Sequence, residues 1–455
     1  MREPALEVAE RVLDAVSGDD AAVVVHSERS GLARFAGKEV HQPTLIDNTS
    51  VELTVVRDGR MGIALGNRLE ADGLADLARR AVEAVESASP DPELPSLAPR
   101  ASYPEIAGFD EETAALTPGE QARLAAAAIE AAQGFPVYGY FTSGACELAV
   151  ASTTGLRAQQ RSTDATVLVL AAGEEASGYH ERTSWEVGRL DPAAVAREAV
   201  ALAGRTRGAS EIEPGVYAAV LEPFAVAELL EYFAWDSFNG LGLLEERSYL
   251  AGRLGERVFD EKISIADDPL DSRGLPKAFD FEGVPKQRVE LVEQGIARGT
   301  VWDRATAARA GPETESTGHA PPARERKWGP APTALSMAAG ETDSPELLAE
   351  RVGDGIWVTR VHYLGIVDPR EGVLTGMTRD GTFRIRDGKI AEPLVNLRFT
   401  VSMPELLSEV AGLTRQRLLV NRNQFYDDRY PFGVLAPALA TARFNITGTG
   451  SGPGI

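Results

Sequence analysis

Residues 51–65 read VELTVVRDGRMGIAL, and no other stretch restricts the fold as strongly. Val51, Leu53 and Val55 alternate with polar neighbours, Asp58-Gly59 interrupts, and Met61, Ile63 and Leu65 alternate on the return. Period-two alternation puts one row of side chains on each face of a strand, and Asp-Gly supplies the left-handed dihedrals of a two-residue hairpin turn. The spacing therefore predicts antiparallel pairing. Similar turns recur at Glu293-Gln294-Gly295, Asp380-Gly381 and Asp387-Gly388, with IRDGKI (385–390) as a second tight hairpin.

Around these hairpins, strands and helices mix. AAVVVHS (21–27), GLARFAG (31–37), VYGYFTS (137–143), CELAVAS (146–152), LRAQQRS (156–162) and TVLVLAA (166–172) read as separate short strands. Leu6, Ala9, Leu13 and Val16 recur at helical spacing, and LADLARRAVEAVE (74–86) reads as another helix. TPGEQARLAAAAIEAA (117–132) opens with a capping box, Thr117 to Glu120, and Asp191-Pro192 starts a further helix. A chain of 455 residues exceeds the roughly 250–300 at which single cores stop growing, so two domains are expected. The polar stretch GRTRGASEIEPG (204–215) separates an N-terminal mixed α/β domain, residues 1–208, from a largely antiparallel β domain, residues 215–455, barrel- or sandwich-like. The overall class is α+β. The second half also predicts one late helix, MPELLSEVAGL (403–413), and two mobile segments, STGHAPPARERKWGPAPTA (316–334) and the tail TGTGSGPGI (447–455).

Charge and cysteine use exclude several functions. The net charge of −22 opposes contact with nucleic acid or an anionic membrane. It reads as solubility, or as a field that steers a basic partner or peptide. The N-terminus is interrupted by acidic residues and lacks the apolar core of a signal peptide, and no run of 18 apolar residues appears. The single cysteine, Cys146, reads as a small buried residue and suits a cytoplasmic location. There is no P-loop and no nucleophile elbow. The histidines, His26, His41, His180, His319 and His362, are scattered. His26 reads as a satisfied core residue. His319, in a glycine-bearing loop, suits a site best, with a structural or peptide-contact role.

The second half resembles the TldD/PmbA family, whose members are also called modulators of DNA gyrase. The matching stretches are VLEPFAVAELL (220–230), ISIADDPLDSRGLPKAFDFEGVPKQRVELVEQGI (263–296) and ATAARAGPETESTGHA (305–320). FAGKEVHQPTLIDNTSVELTVVRDGRMG (35–62) matches more loosely. The resemblance implies two kinds of member. One carries HExxxH on the helix after the first of these strands, with a C-terminal cysteine as third metal ligand. The other lacks the motif and joins the first in a heterodimeric protease of unfolded or leader peptides.

Laid over this chain, the motif falls on Glu231, Tyr232 and Asp236 in ELLEYFAWDSF (228–238), and no cysteine follows Cys146. The corresponding C-terminal stretch, NRNQFYDDRYPFG (421–433), offers Asp and Asn. The resemblance thus implies the metal-free subunit, with no metal or cofactor of its own. Its expected partner is an HExxxH-bearing homologue that carries the metal, zinc by expectation, or a second copy of itself. Its substrate is an unfolded peptide added as a strand to a sheet edge. Peptide- or partner-contact candidates from motif position are Asp280, Glu282, Gly283, Thr317, Gly318 and His319. Two other readings stay open: a metal-dependent peptidase acting alone with a carboxylate site at Glu231 and Asp236, and a regulatory protein-binding modulator. Residues five apart on a helix diverge by about 140°, which opposes a shared metal. The bland reading of the helix points Leu229, Leu230, Phe233 and Ala234 to the core and Glu231 and Asp236 to solvent. In it, Phe233, Trp235 and Phe238 fill the space a metal centre leaves free.

Overall fold

The structure, a computed structural model, describes residues 3–16, 18–422 and 428–450. Its strands form two sheets. The first contains β1 (Asp20–Gly37), β2 (Glu39–Arg57), β3 (Arg60–Gly66), β4 (Val137–Ser152), β5 (Arg157–Gly173) and β6 (Ala176–Ser184). They lie in the order β3-β2-β1-β4-β5-β6, antiparallel throughout. The Asp58-Gly59 hairpin forms as expected, with φ of 49° and 69°.

Pairs of segments expected as separate strands are single long ones. The runs 21–27 and 31–37 merge in β1, 137–143 and 146–152 in β4, and 156–162 and 166–172 in β5. Polar residues at the joins, such as Glu28 and Asp164, break the apolar alternation in sequence. In the fold they are buried and partnered by Arg429, so the strands run through. Strand β6 had no counterpart in the sequence reading.

Parity divides the work of this sheet. Val23, Val25, Leu53 and Val55 face α1 (Ala5–Asp14) and α2 (Ala71–Ser87). Further along the same face, Ala33, Phe141, Val167 and Val169 meet α4 (Pro118–Ala131) and α5 (Pro192–Arg205). The short α3 (Glu111–Ala115) lies between α2 and α4 in the chain. Thr117 caps α4 in a capping box and Asp191 caps α5, as expected. The opposite face turns Val24, Leu148 and Val150 toward Ala278, Phe279, Phe281 and Tyr430 of the later chain.

The second sheet runs from β7 (Gly215–Leu221) through β8 (Ile265–Asp267), β9 (Val289–Glu293), β10 (Ile296–Ala297) and β11 (Leu335–Met337). It continues with β12 (Gly355–Asp368), β13 (Val373–Arg386), β14 (Lys389–Leu394), β15 (Leu397–Ser402), β16 (Val410–Asn421) and β17 (Gly433–Thr449). The pairings β17-β15-β13-β12-β7 close on themselves through β17–β7, so this half is barrel-like. Two pairings, β7–β12 and β11–β17, are parallel and the rest antiparallel. The helix α6 (Pro223–Ser237) follows β7 and packs Phe224, Leu229, Leu230 and Phe233 into the core with Phe399 and Phe444.

Four local expectations change. Asp380-Gly381 is not a strand end: it is a bulge inside β13, with φ of 53° and 133° and the Asp380 carboxylate held by Arg360 at 2.7 Å. The late helix shrinks to Met403–Leu406, because Val410 onward pairs with β17. Residues 316–334 are held in place, since Asp280 accepts the Ala320 N–H, Glu52 accepts the Ala323 N–H, and Ala323–Trp328 forms a 3-10 helix. Thr447–Thr449 of the expected loose tail belong to β17, while residues 451–455 lie outside the described residues. Among the described residues no helix is long and apolar enough to cross a membrane.

Candidate functional site

Pro223 opens α6, where a missing N–H costs nothing. Asn239 ends this stretch by accepting the N–H groups of Leu241 and Gly242, at 2.9 and 3.3 Å. Between them, Leu229, Leu230, Phe233 and Ala234 are buried as the amphipathic pattern demands. The carboxylates depart from it. Glu231 is 5% exposed, not in solvent. Its carboxylate is paired with the Arg422 guanidinium, which also lies 3.7 Å from Glu228 one turn earlier. Asp236 points elsewhere and pairs with Arg247. Tyr232 stacks on Trp235 at 5.0 Å between ring centroids. Trp235 is 45% exposed, so of the three large aromatics only Phe233 and Phe238 fill the interior.

A third carboxylate joins from the first sheet. Glu181 on β6 accepts the Asn421 N–H at 3.0 Å and the Tyr179 hydroxyl at 2.5 Å. Burial pushes Glu181, Glu228 and Glu231 above the ordinary carboxyl range, and the Arg422 charge works against that push. The guanidinium itself is held protonated by the three. A fixed cation thus sits among the carboxylates. It has no open coordination position and no bound water to acidify. Burial also raises the Tyr232 phenol, which stays neutral at pH 7 and supplies no general base. Among the described residues, no three His, Cys, Asp or Glu side chains converge to hold a metal ion. Glu231 and Asp236, divided between two arginines, do not fit one. Of the C-terminal stretch 421–433, residues 423–427 lie outside the described residues.

The other candidates form a second cluster, and among the described residues none of its hydrogen bonds reaches α6. Asp280 is enclosed and accepts the N–H groups of Glu282, Val284 and Ala320 at 3.0, 2.9 and 2.8 Å. Gly283 adopts φ of 75° beneath Leu156, and Gly318, with φ of 76°, passes so close to the Pro285 carbonyl that a Cβ would clash. His319 is fully buried, with Nε2 2.7 Å from Asp267 and Nδ1 2.9 Å from the Thr317 hydroxyl. Thr317 in turn accepts the Trp302 N–H at 2.8 Å. Burial and the Lys286 charge lower the His319 pKa, while the Asp267 charge opposes them. Glu282 lines a cavity of about 80 Å³ shared with Glu52, Asp303 and Arg304. Burial and the neighbouring Asp280 and Asp303 charges raise its pKa.

Arg422, Glu181 and Glu228 were missed from sequence. Glu228 could have been found, since it lies three residues before Glu231 on the same helix face. Arg422 and Glu181 lie in strand contexts that give no hint of convergence.

A long-stranded antiparallel sheet backed by four helices, joined to a closed barrel that carries a buried helix after its first strand, defines a two-sheet α+β scaffold. TldE from Thermococcus kodakarensis has this fold, with a TM-score of 0.85, 20% identity and coverage of 97% of this chain and 99% of that one. So does a Thermotoga maritima protein described as a candidate modulator of a DNA gyrase, with a TM-score of 0.83, 20% identity and coverage of 97% and 99%. The chain belongs to the PmbA/TldD metallopeptidase family: residues 214–448, just over half of it, match the PmbA/TldA metallopeptidase C-terminal domain, and residues 21–85 match domain 1. Curated relatives include a metalloprotease of Methanothermobacter thermautotrophicus, 30% identical over 171 residues, 38% of this chain and 37% of that one. A metalloprotease TldD homologue of Haemophilus influenzae is 28% identical over 216 residues, 45% and 42% of the two chains. The matches thus span less than half the length of these relatives.

Proposed function

We propose that this chain is the metal-free subunit of a two-subunit peptidase that cuts unfolded or leader peptides. One observation carries the reading: Glu231, at the first motif position, is buried against Arg422, a cation from its own chain. The site is already neutralised, so a divalent ion would have to displace a guanidinium. The expected partner is a homologue bearing HExxxH and its metal, with a second copy of this chain as the other possible occupant. The buried Cys146 thiol suits action in a reducing cytoplasm. Within the contact set, Glu282 meets peptide, while Asp280, Gly283, Thr317, Gly318 and His319 hold the loops that present it.

Elemental mass spectrometry on untagged protein, followed by peptidase assays alone and with an HExxxH homologue, tests this. The expected outcome is far less than one metal per chain and activity only in the mixture. Glu282→Ala is expected to lower the mixture's turnover. Close to one zinc or manganese per chain, or peptide cleavage by the chain alone, would overturn the reading.

A further inference from the structure

We propose that the cavity between β2, the 322–325 segment and residues 428–432 binds a cationic group on an aliphatic stem, a lysine or arginine side chain or a free alkylamine. The cavity holds about 260 Å³. That exceeds the roughly 150 Å³ that admits a benzene ring into an engineered apolar cavity.

Among the described residues its charge is unbalanced. Glu52, Glu325 and Asp428 all turn to one guanidinium, Arg324, at 3.5, 3.5 and 3.4 Å. These are long contacts for charge-assisted pairs, which close to about 2.7–2.9 Å when made well. One cation is therefore shared loosely among three carboxylates. Glu52 is 4% exposed and is fixed by accepting the Ala323 N–H at 2.7 Å. Burial raises its pKa, so it gains from a further cation.

A second group faces the same space. His26 is 6% exposed and lines the cavity. Its Nε2 lies 2.8 Å from the Arg429 carbonyl, an acceptor, so Nε2 carries the proton. Burial lowers the ring's pKa and keeps it neutral. Nδ1 is then a lone-pair acceptor, and among the described residues it takes no hydrogen bond. Val24, Leu65, Phe281 and Phe432 supply apolar wall for a stem, and aromatic faces favour cations. A metal ion does not suit the site, since among the described residues no three ligating side chains converge. An anion would meet net negative charge.

The peptide source rests on the peptide-handling reading above, while a free amine does not. Calorimetric titration would compare a short capped peptide with one central lysine against its norleucine analogue, and n-pentylamine against n-pentanol. A preference of at least about tenfold for the charged member is expected, the size of one charge-assisted hydrogen bond. Preference in the peptide arm identifies the peptide source. Preference in the amine arm alone keeps the site and assigns a free amine. Glu52→Gln, which retains an oxygen for the Ala323 N–H, and Asp428→Asn, at the half-exposed rim, should each cut the preference about threefold or more. Equal affinity within both pairs, or a preference that survives both substitutions, would overturn the proposal.

Discussion

Arg422 is the residue on which the α6 site turns. Removing one member of a buried ion pair leaves the other charge unpaired, at a cost of about 3–5 kcal/mol. Arg422→Ala should destabilise by that order in urea unfolding, and adding Glu231→Leu should recover much of the loss. Full additivity of the two would show that the pair carries no coupling. Glu222, just before α6, gives a pH prediction. Burial raises its carboxyl from 4.5 to about 7, against hydrogen bonds from Trp357 and Thr359. A raised carboxyl pKa favours the protonated fold. Its contribution is complete below pH 4.5 and disappears as pH rises through about 7, by up to about 3 kcal/mol. Glu222→Gln should flatten that part of the stability curve between pH 5 and 8, and an unchanged slope would remove Glu222 as its source. The family pattern singles out Glu231, Tyr232 and Asp236 in the sequence. Their partners are not legible there, because Glu231 and Arg422 lie 191 residues apart and nothing local to either records the other.

At the scale of elements, the first sheet is held to its helices by two close approaches. Gly62 on β3 lies against the α2 backbone at Ala81 and Val85, and Gly178 on β6 lies against the α5 backbone at Ala199 and Ala203. A Cβ at position 178 would come within 2.2 Å of the Ala199 carbonyl. Gly178→Ala should therefore push α5 off the sheet and cost about 1–3 kcal/mol by denaturant unfolding. A neutral result would show that the helix can shift freely. Hairpins and caps were readable because their chemistry is local: Asp58-Gly59, Asp387-Gly388, Thr117 and Asp191 all form what their residue types specify. Strand lengths were not, because Glu28 and Asp164 read as breaks until their buried partner is known. The proline-rich 316–334 segment misled for the same reason. Composition describes a segment in water, and this one is fixed by Asp280 and Glu52 from distant parts of the chain.

For the whole molecule, Arg429 is the rivet between the two sheets. Its guanidinium grips Asp164 at 2.7 and 2.6 Å and donates to Thr142 at 3.1 Å. Its N–H reaches Glu28 at 3.0 Å, and its carbonyl meets His26 and Cys146 at 2.8 and 3.2 Å. Asp164→Ala should cost about 3–5 kcal/mol and split a single calorimetric transition into two, one for each sheet. One undivided transition at unchanged temperature would show that the rivet is dispensable. This joint also sets a schedule for synthesis. Asp164 leaves the ribosome 265 residues before the arginine that neutralises it. At roughly 5–20 residues per second, that leaves a wait of about 13–53 s. Until then the inner face of the first sheet exposes its acidic groups to water, and it can close only after nearly all of the barrel has been translated.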